Sequence, residues 1–128
     1  MILLDTHALY WYTHRPERLS KTARREIEKA HQAVAYVSAL AFWEIGLKVA
    51  KNRWEIPMDL LSYRAQVKEL GFIIVLPVDE FVFIDSVLLE IPHRDPVDRM
   101  LIATAKRKNL KIVTCDPAIR RYYRRTVW

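Results

Sequence analysis

The sequence has little cysteine, glycine or proline: one, two and six residues respectively among 128. The single cysteine, Cys115, cannot form an internal disulfide and has no second cysteine with which to build a zinc cluster. The scarcity of glycine leaves no glycine-rich loop for a nucleotide phosphate. No linker, low-complexity segment or repeat interrupts the chain, so we expect one domain over residues 1–128.

Long apolar runs are also absent. The first run, at residues 1–4, lacks a preceding basic segment and is too short for a signal peptide or a membrane span. These features predict a cytoplasmic protein that does not associate with a membrane.

Positive charge is in excess, with a formal net charge of +6. Beyond Asp98 only Asp116 opposes the basic side chains, and Tyr122 and Tyr123 lie among them. The tyrosines could stack on bases, or they could pack in the core or at a dimer interface. The basic residues could form an ordinary solvated surface or a rim that holds phosphates; they are Arg99, Lys106, Arg107, Lys108, Lys111, Arg120, Arg121, Arg124 and Arg125.

Short apolar runs alternate with helical patterns along the chain. This alternation predicts an α/β fold with a mostly parallel sheet covered on both faces. In the helix predicted over residues 79–90, Phe83, Val87 and Leu88 are the expected core residues. The strands are predicted at residues 2–4, 34–37, 72–76 and 111–114, and further helices after Asp5, at 20–30, 38–50 and 59–70, and from 95 onward.

Four acids fall where such a fold would bring them together. Asp5 and Asp116 directly follow predicted strands, and Glu44 and Asp98 lie in early turns of helices. Ligands of open parallel sheets bind beyond the carboxyl ends of the strands, so we expect the four side chains to share one crevice. Structural alternatives exist: Asp5 could cap a helix, Asp116 could form a turn with Pro117, and Glu44 could pair with Lys48.

The segment Asp95-Pro-Val-Asp98 also has two interpretations. Asp95 at the N-cap, Pro96 at the first helical position and Asp98 in the first turn form a helix-start pattern that needs no active site. Asp95 and Asp98 also lie on neighbouring sites of one helix face, where carboxylates could bind a metal.

Clustered carboxylates repel one another unless a cation neutralises them or some stay protonated. Carboxylate oxygens suit Mg²⁺ or Mn²⁺, which would keep positions for water and a substrate phosphate. With a basic rim to hold a nucleic-acid backbone, this chemistry indicates metal-assisted hydrolysis of a phosphodiester bond.

The four acids lie in four segments: residues 3–11 (LLDTHALYW), 38–48 (SALAFWEIGLK), 93–105 (HRDPVDRMLIATA) and 113–116 (VTCD). Together these segments resemble a PIN domain, specifically a toxin of the VapC type. The resemblance implies a PIN-like three-layer α/β fold with a short, mostly parallel sheet flanked by helices. Val97 and Tyr10 depart mildly from the usual residue types.

Residue by residue, the resemblance assigns roles to eight positions. It makes four acids the catalytic and metal-binding set: Asp5, Glu44, Asp98 and Asp116. Thr6 and Thr114 match supporting polar positions. Asp95 would cap the helix or hold a water beside the metal, and Arg99 would contact phosphate or form a surface pair.

The resemblance implies an endoribonuclease that depends on Mg²⁺ or Mn²⁺ and acts as the toxin of a toxin–antitoxin system. It further implies a cognate antitoxin, a homodimer and an RNA substrate. One alternative is a catalytically inactive PIN-like module that binds RNA or protein. Another is a metal-dependent phosphatase or DNA nuclease, because the same acids would serve that chemistry.

Overall fold

The computed structural model describes residues 1–128 and contains a single five-stranded sheet. The strands are β1 (Ile2–Leu4), β2 (Ala35–Ser38), β3 (Ile73–Leu76), β4 (Lys111–Val113) and β5 (Thr126–Val127). They lie in the order β3-β2-β1-β4-β5, and every neighbouring pair is parallel. The predicted parallel α/β fold is confirmed, and all carboxyl ends of the strands lie at one edge.

Seven α-helices connect and cover the strands. Their side-chain caps explain where many of them start, because a carboxylate or hydroxyl at the N-cap accepts from a free backbone N–H. Asp5, Ser20, Asp59 and Asp79 act in this way. The helices are α1 (Thr6–His14), α2 (Lys21–Ala30), α3 (Leu40–Ala50), α4 (Leu60–Glu69), α5 (Glu80–Leu88), α6 (Pro96–Lys108) and α7 (Pro117–Tyr122), with a short 3-10 helix at Pro16–Arg18.

The central strand β1 is buried on both faces, as its uninterrupted apolar sequence predicts. Ile2 and Leu4 of β1 face a core built with α1 to α4, whereas Leu3 faces a core built with α6 and α7. Helix α5 packs against α6 at the edge of the second layer. This arrangement forms three layers, with β1 at the centre of the sheet.

The predicted core residues of α5 are wrong. Phe83, Val87 and Leu88 are 49%, 78% and 69% exposed, and Val82 and Ser86 face inward instead. The helix is apolar on nearly every side, so its periodicity does not identify the buried stripe. Because α5 packs mainly against α6, one narrow side is buried and most of its apolar surface faces solvent.

Several element boundaries also differ from the predictions. Strand β5 was not predicted, since its two residues follow a run of tyrosines and arginines. Ser38 ends β2, and α3 begins two residues later, with Ala39 at the N-cap. The Ser38 hydroxyl still accepts a hydrogen bond from the Leu40 N–H at 3.2 Å.

None of the seven helices combines the length and hydropathy needed to cross a membrane.

Candidate acidic active site

A pocket at the carboxyl edge of the sheet contains the four predicted acids. Their expected convergence is confirmed, and Asp95 joins them. We call this site the acidic pocket and define it by the carboxylates of Asp5, Glu44, Asp95, Asp98 and Asp116.

Asp5 and Asp116 are helix caps and pocket residues at the same time. Asp5 Oδ1 accepts from the Ala8 N–H at 2.6 Å. Asp116 Oδ1 accepts from the Ala118 and Ile119 N–H groups at 2.8 and 3.4 Å. Each cap uses one oxygen of the carboxylate. A role as helix cap is therefore compatible with a role in the acidic pocket for both residues.

Asp95 and Asp98 divide their roles at the start of α6. Asp95 Oδ1 accepts from the N–H groups of Val97 and Asp98 at 2.9 and 3.1 Å, so Asp95 is the N-cap. Asp98 makes no cap; its Oδ2 lies 2.7 Å from Nε2 of His93. Both carboxylates line the acidic pocket.

Glu44 contacts Thr6 and not Lys48. The Thr6 hydroxyl donates to Glu44 Oε1 at 2.5 Å. No ion pair joins Glu44 to Lys48, so that proposed pairing is wrong. The Lys48 ammonium lies 3.5 Å from Nε2 of His7 and 4.4 Å from the ring centre of Trp54.

Burial and mutual repulsion favour protonation in the acidic pocket. Asp5 is only 4% exposed, and burial raises its pKa to about 7. The Thr114 hydroxyl and the Ala8 N–H oppose that rise, and the charges of Asp116 and Glu44 add to it.

The pKa values of Glu44 and Asp98 are raised as well, again mainly by burial. The hydrogen bond from Thr6 lowers the pKa of Glu44, and the contact with His93 lowers that of Asp98. Asp98 and Asp95 raise the pKa of Glu44, while Asp95 and Asp116 raise that of Asp98. The carboxylates thus interact with one another across the pocket.

Thr6 and Thr114 lie where the resemblance places supporting residues. Thr6 binds Glu44, as described above, and Thr114 is fully buried at the end of β4. Thr114 Oγ1 accepts from the Asp116 N–H at 3.0 Å, which fixes the turn that carries Asp116.

Arg99 has neither of its expected roles. Its five N–H groups donate to five backbone carbonyls at 2.8–3.4 Å, so no donor remains for a phosphate or a carboxylate. Arg99 instead ties the segment between α5 and α6 to the first turn of α6. The carbonyls belong to Ser86, Val87, Leu89, Ile91 and His93.

Most of the basic residues lie away from the acidic pocket. Lys106, Arg107 and Lys108 form the last turn of α6, about 12–15 Å along the axis from Asp98. Lys111 is the first residue of β4, at the amino end of the strands and therefore opposite the acidic pocket. Arg125 forms a hydrogen bond with Asn109, close to Lys111 in the chain. These residues therefore do not form part of a basic rim around the acidic pocket. Arg120 of α7 lies near Cys115, where burial raises the pKa of the thiol and the charge of Arg120 partly opposes that rise.

Tyr122 and Tyr123 lie in different environments. Tyr123 is buried, and its hydroxyl donates to the Leu110 carbonyl at 2.6 Å, so it is a core residue. The ring of Tyr122 stacks on His93, with ring centres 5.7 Å apart.

Sequence reasoning missed two histidines at the site. His7 lines the acidic pocket, and its position two residues after Asp5 in the first turn of α1 was an available signal. His93 contacts Asp98 from an irregular segment whose path depends on the carbonyl contacts of Arg99. The periodicity of the sequence does not predict the path of an irregular segment of this kind.

The chemistry of the acidic pocket suits a hard divalent cation. Glu44, Asp95, Asp98 and Asp116 each use one carboxylate oxygen in a hydrogen bond and leave the other without a partner. No three acidic, histidine or cysteine side chains are close enough to form a ready-made metal cluster. A cation would therefore draw separate carboxylates toward itself.

Known proteins are similar to this chain in sequence or in fold. Residues 2–125 match the family model of the PIN domain. Ribonuclease VapC22 of Mycobacterium tuberculosis is 30% identical over 120 residues, which cover 93% of this chain and 89% of that protein.

Three solved structures have the same fold at low sequence identity. A toxin–antitoxin complex from Klebsiella pneumoniae has a TM-score of 0.68 at 18% identity, covering 100% of this chain and 97% of that one. FitAcB from Neisseria gonorrhoeae has a TM-score of 0.64 at 22% identity, covering 93% and 90%. VapBC2 from Rickettsia felis, bound to a promoter DNA fragment, has a TM-score of 0.67 at 13% identity, covering 96% and 94%. The family model spans nearly the whole chain, so this protein belongs to the PIN domain family.

Proposed function

We propose that this protein is a divalent-metal-dependent endoribonuclease and the toxin of a toxin–antitoxin system. The main observation that supports this proposal is the acidic pocket, in which five carboxylates lie together at the carboxyl ends of the parallel strands. The similarity to a protein named as a ribonuclease supports RNA as the substrate. The parallel sheet supports the proposal too, because ligands of such sheets bind at this edge.

The cation would be held by Asp5, Glu44, Asp98 and Asp116, with Asp95 beside them. A bound Mg²⁺ or Mn²⁺ supplies charge that polarises a phosphate and lowers the pKa of a bound water. Thr6 and His93 each fix one oxygen of a proposed ligand, Glu44 and Asp98. Thr114 fixes the turn at Asp116, so these three residues would hold in place the carboxylates that bind the cation.

The test is cleavage of a labelled RNA by the wild type, Asp5→Asn and Asp98→Asn, with Mn²⁺ and with EDTA. We expect the wild type to produce new RNA ends only with Mn²⁺ and both variants to lose at least 100-fold in rate, as for a lost electrostatic contact. Asp59→Asn is the matched control, because Asp59 caps α4 on the surface outside the pocket. Full activity in both pocket variants would refute the assignment.

A competition experiment determines the substrate class of the enzyme. DNA of the same sequence and a simple phosphomonoester are offered beside the RNA. Preferential cleavage of DNA or of the monoester would replace the ribonuclease proposal with a DNA nuclease or phosphatase.

A binding module without catalysis is the second candidate, and the lack of a ready-made metal cluster favours it. Such a module would bind RNA with an affinity that falls as salt rises, yet give no new RNA ends after prolonged incubation with Mn²⁺. Metal-dependent ends would exclude it.

A cognate antitoxin is the proposed protein partner. A similar fold occurs in a structure described as a toxin–antitoxin complex, which supports this partner. Exposed apolar side chains of α3 and α4, including Trp43, Leu47 and Leu61, offer a surface beside Glu44. We expect the product of the neighbouring gene, the proposed antitoxin, to inhibit the ribonuclease activity of this protein. Trp43→Glu should weaken that inhibition.

A homodimer is proposed through the exposed apolar face of α5. Phe83, Ile84, Val87 and Leu88 line an apolar groove there, and few soluble monomers leave such a face uncovered. Sedimentation should show a dimer for the wild type and a monomer for Val87→Asp, while Leu61→Asp on α4 should remain dimeric. A monomeric wild type at micromolar concentration would contradict the proposal.

A further inference from the structure

Lys48 is a cation without a carboxylate partner beside the acidic pocket. It lies one helical turn after Glu44 on α3, yet it forms no ion pair. Its ammonium contacts Nε2 of His7 at 3.5 Å and the face of the Trp54 ring at 4.4 Å. An ammonium only donates hydrogen bonds, so the His7 nitrogen is the acceptor and the charge of Lys48 is not neutralised.

The two groups that hold this ammonium are themselves fixed. His7 is in the first turn of α1 and lines the acidic pocket. Trp54 stacks on Tyr10, with ring centres 4.1 Å apart and planes within 6°. The Tyr10 hydroxyl donates to the Glu55 carbonyl at 2.8 Å and accepts from the Glu55 N–H at 3.3 Å, which pins this connection to α1.

A fixed cation at this place suits an anion that extends past the acidic pocket. His7 occupies one N–H of the ammonium and leaves others free to donate. A nucleic-acid strand carries a phosphate on every nucleotide, so a strand whose scissile phosphate lies among the carboxylates places another phosphate nearby. Because its position is already ordered, Lys48 would lose little conformational entropy on binding.

We propose that Lys48 is a substrate-binding residue that contacts an RNA backbone phosphate adjacent to the scissile one. His7 and Trp54 are the positioning residues that hold its ammonium. This inference rests on the proposed nuclease function and adds a subsite to it. Lysine acts there as a point charge, so the contact gives affinity and register without reading bases.

The competing explanation is that Lys48 only relieves repulsion among the carboxylates, since its charge lowers the pKa of Glu44. In that case its removal would alter Mn²⁺ affinity or stability and leave RNA affinity unchanged at matched metal occupancy. The two explanations therefore separate in RNA binding measured without metal.

The binding experiment uses labelled single-stranded RNA, EDTA and a series of NaCl concentrations. All proteins carry Asp98→Asn, which prevents cleavage under the proposed function. Lys48→Met keeps the aliphatic stem on Trp54 and removes the charge, and Lys48→Arg keeps the charge. Lys68→Met is the control, because Lys68 is exposed in the last turn of α4, which leads to the amino end of β3.

We expect Lys48→Met to weaken RNA binding and to reduce the slope of log affinity against log salt by about 0.7, the value for one phosphate on a single strand. Lys48→Arg should restore the slope, and Lys68→Met should match the parent. A Lys48→Met slope equal to the parent slope would overturn the proposal.

The cleavage experiment compares KM and kcat in proteins without Asp98→Asn. Lys48→Met should raise KM several-fold and leave kcat and the melting temperature near the wild-type values. A change in kcat, Mn²⁺ affinity or melting temperature with an unchanged KM would assign Lys48 to the pocket electrostatics instead. If the wild type cleaves no RNA, the proposed function fails, and the salt slope still decides whether Lys48 binds phosphate.

Discussion

Asp5 shows what burial does to a single carboxyl group. Its pKa rises to about 7 because burial penalises the charged form, and neighbouring carboxylates act in the same direction. Its location was predictable, since a strand ends directly before it. Its pKa was not, because the degree of burial and the distances to Glu44 and Asp116 depend on the packing of three separate elements.

The contribution of Asp5 to the stability of the metal-free protein should therefore fall as pH rises from about 4 to about 7. The lowered pKa values of His7 and His14 oppose this fall as the pH approaches 6.5. In that range the folded chain retains a proton on Asp5 that the unfolded chain has released, since the ordinary pKa is 3.8. The loss is at most about 4 kcal/mol in the free energy of unfolding, and it is complete above the folded-state pKa. Denaturant unfolding in EDTA across this range measures it, and Asp5→Asn should flatten the curve. Equal pH dependence in the wild type and Asp5→Asn would contradict the prediction.

His93 is the residue whose effect on the site can be isolated most cleanly. His93→Phe keeps a ring against Tyr122 and removes the contact with Asp98. We expect Mn²⁺ affinity to fall about 10–100-fold, as for lost partners of metal ligands. Calorimetric titration measures this affinity. His31→Phe is the control, because His31 contacts Tyr12 on the surface, and equal affinities in both variants would show that His93 does not orient Asp98.

Among the elements, the segment between α5 and α6 is the one that local sequence rules describe least well. Residues 89–95 have no regular structure, and Arg99 satisfies the backbone carbonyls of the segment from within α6. Capping rules correctly predicted Asp95 at the start of α6. The carbonyl contacts of Arg99 could not be predicted, because they depend on how the segment folds back over the helix.

Arg99→Lys should destabilise the protein by about 1–3 kcal/mol, because a lysine ammonium cannot supply five N–H groups in a planar fork. Urea unfolding measures this loss. Arg94→Lys serves as the control within the same segment, since Arg94 is exposed and makes no side-chain hydrogen bond or ion pair. Equal urea midpoints for Arg99→Lys and Arg94→Lys would contradict a structural role of Arg99.

For the whole molecule, the strand order determines where the site lies. Alternation of strands and helices was enough to predict the parallel sheet and the convergence of Asp5, Glu44, Asp98 and Asp116. It was not enough to predict the distribution of positive charge, because Lys106 and Lys108 are near Asp98 in sequence but lie at the other end of a 13-residue helix. Net charge therefore overstated the basic surface around the site.

A cation shared by several elements should stabilise the whole fold. We expect Mn²⁺ to raise the melting temperature of the wild type more at neutral than at acidic pH, because protons compete with the metal for the carboxylates. Asp98→Asn should lose most of this rise. Thermal melting with Mn²⁺ and with EDTA at both pH values measures it, and equal midpoints in all conditions would count against a shared metal site.

The double use of Asp5 and Asp116 as helix caps and pocket carboxylates has an evolutionary consequence. Asparagine also caps helices well, and a single base change converts an aspartate codon into an asparagine codon. Such a change removes a negative charge from the pocket while α1 or α7 keeps its cap. If the acids carry the activity, gene copies that acquire asparagine at these positions should encode folded but inactive proteins.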